Sequence, residues 1–334
     1  MKVASYSKYG APEVLQIQEA VKPIPKDAEI LIQIYCTSVT ATEATFRRGR
    51  PYFSRLFTGL LKPKIEILGE EFSGVITGLG QNVTKFKLGE KVFGTTGTNF
   101  GTYAEYICLN EDEVILPIPN NLDYAEAAGS CDGFLTAYSF LNKTAKAQSG
   151  QSIMVVGACG SIGSAAVQIA SSLGLEVTAV CSMNNHDLAI KLGAKYCIDY
   201  NSTPYKNITK QYDIIFDTVG KVKYRSIKNI LNSQGIFLQA GITLDILPLV
   251  LWTKYFSKKK VKISATGLKP KQERLEDFRI IHKNLHKSIW KPVIDRIYSL
   301  VELSKAHEYV DAGHKKGNVV IQILKEEKTK SSKV

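Results

Sequence analysis

Three glycines stand three residues apart at Gly157, Gly160 and Gly163. Glycine lets the chain turn tightly and lets another group approach the backbone with no Cβ in between. Ile153-Met154-Val155-Val156 lies directly before them, a short apolar run of the kind that forms a strand buried on both faces. An Ala/Val/Ile pattern follows and runs as a helix to Leu173-Gly174. Strand, glycine turn and helix in that order can hold a pyrophosphate, because free N–H groups and the positive end of the helix dipole point at it. Gly157, Gly160, Ser161, Ile162 and Gly163 are therefore the candidate cradle. The spacing is G-x-x-G-x-x-G rather than G-x-G-x-x-G. A glycine turn in some other α/β protein is the plain alternative, and the flanking strand and helix favour the dinucleotide.

A site for NAD(H) places an acid at the end of the second strand to bind the ribose 2′-hydroxyl. That strand is Glu176–Cys181, and it runs into Ser182-Met183-Asn184-Asn185. Glu176 is at the wrong end. NADP(H) is thus favoured over NAD(H). Ser182, Asn184 and Asn185 are placed to donate hydrogen bonds to a 2′-phosphate, but they cannot neutralise it.

Metal chemistry finds little support. The cysteines are Cys36, Cys108, Cys131, Cys159, Cys181 and Cys197, with no C-x-x-C pair among them. His282 and His286 are four apart on an expected helix without carboxylate-rich or cysteine partners, and read as a helical face. The cysteine usage suits a reducing cytoplasm. Net charge is +12 over 334 residues, and the lysines are spread along the chain, as on a solvated surface. The longest apolar stretch, Ile242 to Phe256, is shorter than a membrane span and carries Asp245, Pro248 and Lys254.

The elements needed to position these groups fall into two patterns. Residues 1–123 read as short strands with frequent glycine turns: Ile30–Cys36, Phe72–Gly80, Lys91–Gly94 and Thr102–Leu109. Between the first two lies Thr42 to Lys64, basic and aromatic, read as a helical turn and a long loop. From 124 strands and helices alternate. The strands are Ile153–Val156, Glu176–Cys181, Tyr196–Ile198, Ile214–Phe216, Ile236–Gln239 and Val261–Thr266, with a helix expected in each connection. Six strands in βαβ order imply a doubly wound parallel sheet. Beyond it come a helix at Lys271–Lys287, a strand at Arg296–Ser299, a helix at Ser304–Ala312 and a strand at Asn318–Leu324. The charged tail from Lys325 is expected to be frayed.

Several stretches, taken in order, carry a resemblance. They are Ser38-Val39-Thr40-Ala41-Thr42-Glu43 with Arg47 and Gly49, Leu68 to Val75, Phe100 to Tyr106, Leu135-Thr136-Ala137-Tyr138, the glycine loop, Leu192-Gly193-Ala194 to Tyr200, Tyr212 to Gly220, and Gly313 to Val320. Nearly end to end, the chain resembles the medium-chain dehydrogenase/reductases, in their zinc-free quinone oxidoreductase (zeta-crystallin-like) branch. The resemblance implies an α/β protein with a GroES-like β-rich barrel domain and an inserted six-stranded Rossmann domain. The boundaries would be 1–123 plus 268–334 for the substrate and catalytic domain and 124–267 for the cofactor domain.

Zinc relatives carry a cysteine and a histidine where this chain has Thr40 and Glu70, so no zinc is expected. Glu70 and Glu71 are expected to pair with Arg47 or Arg48. The resemblance places Thr136 by the nicotinamide ribose, and Tyr200 with Lys315 or Lys316 around the 2′-phosphate. Val219-Gly220 and Ala240-Gly241-Ile242 follow the fourth and fifth strands, at the carboxyl ends of the sheet where such ligands sit. Asn318 is a candidate to help close the site, with ordinary turn chemistry before a strand as its alternative role. Thr40 and Tyr52 are the candidate catalytic groups, with Tyr52 or a bound water as proton donor. Tyr52, Phe53, Phe100 and Trp252 are candidate apolar walls, with plain core or a dimer interface as the alternative. Cys159 at the helix start reads as a small residue filling the turn.

The expected activity is NADPH-dependent reduction of a quinone or of the C=C bond of an α,β-unsaturated carbonyl. An enoyl-thioester reductase is the alternative enzyme. An NADPH-binding protein docking on RNA or an anionic membrane through its basic surface is the non-enzymatic one. The expected partners are a small-molecule substrate and, by resemblance, a second copy in a homodimer. No specific nucleic acid and no membrane span are expected.

Overall fold

The computed structural model describes residues 1–241, 243 and 245–325. The chain divides into two compact units. The first comprises Met1–Gly129, Ile294–His314 and the chain from Asn318 on; the second comprises Ser130–Val293 with Lys315–Gly317.

The first unit is built on the long strand Glu29–Val39. Ile30, Ile32 and Ile34 alternate inward and are fully buried, packing with Phe72, Ile76, Val92 and Ile115. The strand pairs antiparallel with Asn318–Gln322, Glu71–Leu79 and Tyr106–Asn110. The sheet continues to Ile294–Ser299 at one end and through Lys91–Thr95 to Val114–Pro117 at the other. Register shifts at Leu31/Ile32 and Ile34/Cys36 bend the central pair, as expected for a small, strongly curved sheet. The Lys2–Ser5 and Gln16–Glu19 pair, and Val114–Pro117, are strands the pattern reading did not separate from their surroundings. The expected strand at Thr102 starts only at Tyr106, because Tyr103 turns into the core and is fully buried.

The second unit holds a six-stranded parallel sheet. Its order is Tyr196–Asp199, Glu176–Cys181, Ser152–Val156, Tyr212–Asp217, Leu231–Gln239, Lys260–Ile263. This is the doubly wound arrangement, with the order reversing beside the first strand. The central runs are apolar throughout because helices cover both faces.

Two expectations are corrected. No α-helix forms between Tyr196–Asp199 and Tyr212–Asp217; a single 3-10 turn, Tyr205–Asn207, stands there instead, after Asn201-Ser202-Thr203-Pro204, residues that favour turns. The helix Lys271–His286, counted above with the first domain, belongs to the second unit. It buries Phe278, Ile281 and Leu285, and Asp277 meets Lys143 at 3.3 Å. The residues after it stay there too: Trp290 stacks on Phe134 at 5.8 Å, and Gln168 bonds both N–H and C=O of Lys291.

No described helix is long and apolar enough to cross a membrane. Ile242 and the tail residues 326–334 lie outside the described residues.

Candidate functional site

The strand Ser152–Val156 delivers the chain to Gly157, whose φ of +73° is left-handed. A Cβ at Gly157 would strike Val219, and one at Gly163 would fall on the Gly157 carbonyl oxygen. Both glycines are therefore demanded by the protein itself: one by the turn, the other by close packing of helix Ser161–Ser172 against the turn. Gly160 differs. Its φ of −78° suits any residue, and a Cβ there would meet only the Gly157 oxygen at 3.4 Å, an ordinary contact. The protein leaves open space beside Gly160 at the start of a twelve-residue helix. That is the cradle a pyrophosphate needs, and the residues present fit a dinucleotide.

The segment Lys315–Gly317 lies against this loop. Gly160 and Gly317 form an isolated parallel bridge, and the Gly317 N–H donates to the Cys159 carbonyl at 2.7 Å. Lys316 is thereby brought to the loop, where its charge helps lower the Cys159 thiol; the larger cause is a hydrogen bond with Cys181. Cys159 is buried and donates to the Asn185 carbonyl at 3.4 Å, so the thiol ties the loop to the next turn.

That turn, Met183–Asn185, follows the strand Glu176–Cys181. Cys181 and Asp199 are register partners, so Ser182 and Tyr200 leave neighbouring strands side by side at the carboxyl end of the sheet. Tyr200 is about half exposed, and the buried Asn185 side-chain oxygen has no protein partner. Across the switch point, Val219 lies over Gly157, and Gly220 and Gly241 approach within 3.2 Å of where the other's Cβ would be. The Gly241 carbonyl accepts from Gln239 at 2.7 Å. Ser161 packs by Gly133, and Thr136 donates to the Asp132 carboxylate at 3.2 Å. The structure thus collects Gly157, Gly160, Ser161, Ile162, Gly163, Ser182, Asn184, Asn185, Tyr200, Val219, Gly241 and Lys316 around the carboxyl ends of one sheet.

Two carboxylates there were not singled out from sequence. Asp217 accepts the N–H groups of Val219, Gly220 and Val222 at 2.9, 2.9 and 2.7 Å and so shapes that loop. Burial raises its carboxyl, against the lowering effect of those N–H groups. Asp132 is likewise raised by burial, opposed by the Thr136 hydroxyl and by Lys315. The available signal for Asp217 was an acid directly ending the apolar run Ile214-Ile215-Phe216.

Thr40, Tyr52 and Asn318 belong to the first unit. Asn318 is buried at the start of its strand. Thr40 caps the helix Ala41–Arg48 through a capping box: its hydroxyl accepts from the Glu43 N–H, and the Glu43 carboxylate accepts from the Thr40 N–H. Glu43 also accepts the Glu70 N–H at 2.8 Å, and Glu70 accepts the Thr95 hydroxyl at 3.1 Å. Arg47 and Arg48 both meet Asp311, which corrects the pairing expected with Glu70 and Glu71; the Glu71 carboxylate takes the Ser38 hydroxyl. Tyr52 is 65% exposed, its ring flanked by the guanidinium groups of Arg50 and Arg55. Phe100 is buried in the core, edge-on to Phe46 at 5.4 Å. Among the described residues no three His, Cys, Asp or Glu side chains group as a metal site requires.

Residues 26–120 match the alcohol dehydrogenase GroES-like domain, and residues 192–321 match the zinc-binding dehydrogenase domain. Human quinone oxidoreductase is 29% identical over 325 residues, covering 94% of each chain. The Coxiella burnetii quinone oxidoreductase structure superposes with a TM-score of 0.86 at 27% identity, covering 97% of this chain and 99% of that one. The chain belongs to the medium-chain dehydrogenase/reductases, in their quinone oxidoreductase branch. It is an NAD(P)H-dependent oxidoreductase. The NADPH-dependent alkenal/one oxidoreductase of Arabidopsis thaliana is 30% identical over 230 residues, 66% of this chain and 58% of that protein.

Proposed function

We propose that this oxidoreductase uses NADPH to reduce a quinone or the C=C bond of an α,β-unsaturated carbonyl, without zinc. The observation that carries the cofactor choice is the end of the strand Glu176–Cys181. It opens into uncharged Ser182, Asn184 and Asn185, and Lys316 is held at the neighbouring glycine loop. An acid there would repel a 2′-phosphate; these side chains and the lysine attract it.

Bound in this cradle, NADPH supplies the hydride. The chain's part is to bind and polarise. Backbone N–H groups at Ser161–Gly163, the first turn of the helix, would hold the pyrophosphate, while the Gly160 N–H donates to the Gly157 carbonyl and shapes the turn. Asp217 fixes the Val219-Gly220 loop. The Thr40 hydroxyl uses its oxygen in the helix cap and keeps its hydrogen to donate to a substrate carbonyl. Tyr52 or a bound water is the proposed proton source, and Asn318 and Thr136 are further proposed site residues. Conjugated carbonyls need only such hydrogen bonding and a proton, and Thr40 and Glu70 stand where zinc relatives carry ligands. The relatives named for quinones and alkenals support this substrate class. A homodimer is part of the same proposal.

The test is spectrophotometric: NADPH and NADH oxidation across quinones, enals, enones and simple aldehydes, with and without a chelator. NADPH-preferring, chelator-insensitive turnover of quinones or enones is expected. Chelator-sensitive alcohol oxidation would overturn the zinc-free reading, and a strong NADH preference the cofactor choice.

A further inference from the structure

The segment between Gly49 and Ile65 is folded inside out. Its polar residues Ser54 and Thr58 are 2% and 0% exposed, whereas Leu56, Phe57, Leu60 and Leu61 are 71%, 57%, 65% and 94% exposed. The arrangement is anchored rather than loose. The Tyr9 hydroxyl bonds Thr58 at 2.8 Å and also donates to the Gly59 carbonyl, and the Lys64 N–H donates to the Thr58 carbonyl at 2.7 Å. Arg55 lies over the Tyr9 ring at 4.5 Å. The polar side of the loop is spent on holding it to the unit, and the apolar side chains project outward.

The charge is equally one-sided. No acid occurs between Glu43 and Glu66, while Arg50, Lys62 and Lys64 flank the apolar tip and are exposed. Contiguous exposed apolar side chains mark an interaction surface. Three occupants compete. A second copy meeting this patch about a two-fold axis would set the same cations against one another. A nucleic acid would use the cations and could stack on Tyr52 and Phe57, but it leaves Leu56, Leu60 and Leu61, the larger part of the apolar tip, uncovered, because leucines do not stack on bases as aromatic rings do. An anionic bilayer satisfies both halves: the apolar tip enters the acyl boundary, and the basic rim meets the headgroups.

We propose that the loop Arg50–Lys64 is a peripheral docking site for an anionic lipid surface. The proposal goes beyond the reductase reading and does not depend on turnover. Docking would give the protein access to lipophilic compounds that partition into membranes.

The full-length protein is sedimented with vesicles of phosphatidylcholine alone and of phosphatidylcholine with phosphatidylserine. Binding to the serine-containing vesicles that weakens with salt is expected. The double variant Lys62→Glu/Lys64→Glu should lose more than about tenfold in partitioning, since each cation near an anionic leaflet is worth about fivefold. Leu60→Asp/Leu61→Asp should lose binding comparably, with NADPH binding by the second unit retained as the folding control. Leu61→Trp should bind and shift its fluorescence to the blue. No binding at low salt, equal binding to neutral vesicles, or binding untouched by either double variant would overturn the proposal. So would an unshifted tryptophan, a dimer that the leucine variant dissociates in place of vesicle binding, or RNA binding that survives in the leucine variant while vesicle binding is absent.

Discussion

The glycine cradle of the second unit and the Thr40–Glu43 corner of the first are built in opposite ways. The cradle is made of main chain. Its demands fall on positions that must have no side chain, and they repeat at a fixed spacing. The corner is made of side chains: Thr40, Glu43, Glu70 and Thr95 bond one another in a buried chain. Beyond the local Thr40–Glu43 cap, its demands are for specific partners brought together from a distance: Glu43 with Glu70 across 27 residues and Glu70 with Thr95 across 25. A backbone site tolerates almost any neighbour but no Cβ; a side-chain site tolerates few neighbours at all.

The largest effect should come from violating the cradle where the protein itself requires glycine. Gly163→Val sets a side chain on the Gly157 carbonyl oxygen, and backbone has to move. Loss of measurable NADPH binding is expected, with a stability loss of about 3 kcal/mol by denaturant unfolding. Gly160→Ala sharpens the contrast, because the added Cβ meets nothing closer than 3.4 Å. Stability should change by less than about 0.5 kcal/mol, while NADPH affinity, followed by cofactor fluorescence, falls about tenfold as the methyl intrudes on the ligand's side. Equal affinity in Gly160→Ala and the parent would show that no pyrophosphate lies there.

Thr40→Ala tests the corner. Losing the cap costs about 1 kcal/mol, and losing the hydroxyl donor should lower kcat about a hundredfold. Thr40→Ser keeps both groups and should restore both. If Thr40→Ala unfolds more easily yet turns over at the parent rate, the residue is a cap and nothing more.

This contrast also explains what could be read from the chain before its structure. The parallel sheet and the cradle were legible because apolar strands and bare glycines leave marks in local sequence. Lys316 was placed only by resemblance: it is 156 residues from Gly160, and nothing local announces that Gly317 will bridge to it. The Arg47 and Arg48 partner was missed for the same reason, since Asp311 is 264 and 263 residues away, while Glu70 and Glu71 were nearer in sequence. The helix Lys271–His286 shows the limit for domains. Its own pattern fixes which face is apolar, but not which unit that face covers.

A second probe of the first unit is pH. His307 is fully buried; its Nε2 bonds the Tyr103 hydroxyl at 3.1 Å and its Nδ1 has no partner. Burial, then the charges of Arg47 and Arg48, depress its pKa to about 3. The unfolded chain takes up this proton near pH 6.5, roughly, and the folded one does not. His307 therefore supports the fold fully above that pH, and its support is lost as pH falls toward the folded value. At pH 5.5 the loss should be about 1.4 kcal/mol. His307→Gln does not titrate, so its stability relative to the parent should improve by that amount between neutral pH and pH 5.5. Parallel curves for the two proteins would mean that the histidine is not held neutral.

The smallest effect should be at the edge of the cradle, where a side chain rather than the backbone is proposed to choose the cofactor. Lys316 acts across solvent-accessible distance, so Lys316→Ala should raise the KM for NADPH by about fivefold and leave that for NADH nearly unchanged. Met183→Arg, at an exposed position beside Ser182, should move the ratio the other way by adding a guanidinium for the 2′-phosphate. A side-chain contribution to a backbone site is separable in this way: it alters which dinucleotide is preferred without altering whether one binds. If Lys316→Ala weakened NADPH and NADH equally, the lysine would be holding the Lys315–Gly317 segment on the loop, and selectivity would have to come from Ser182, Asn184 and Asn185 alone.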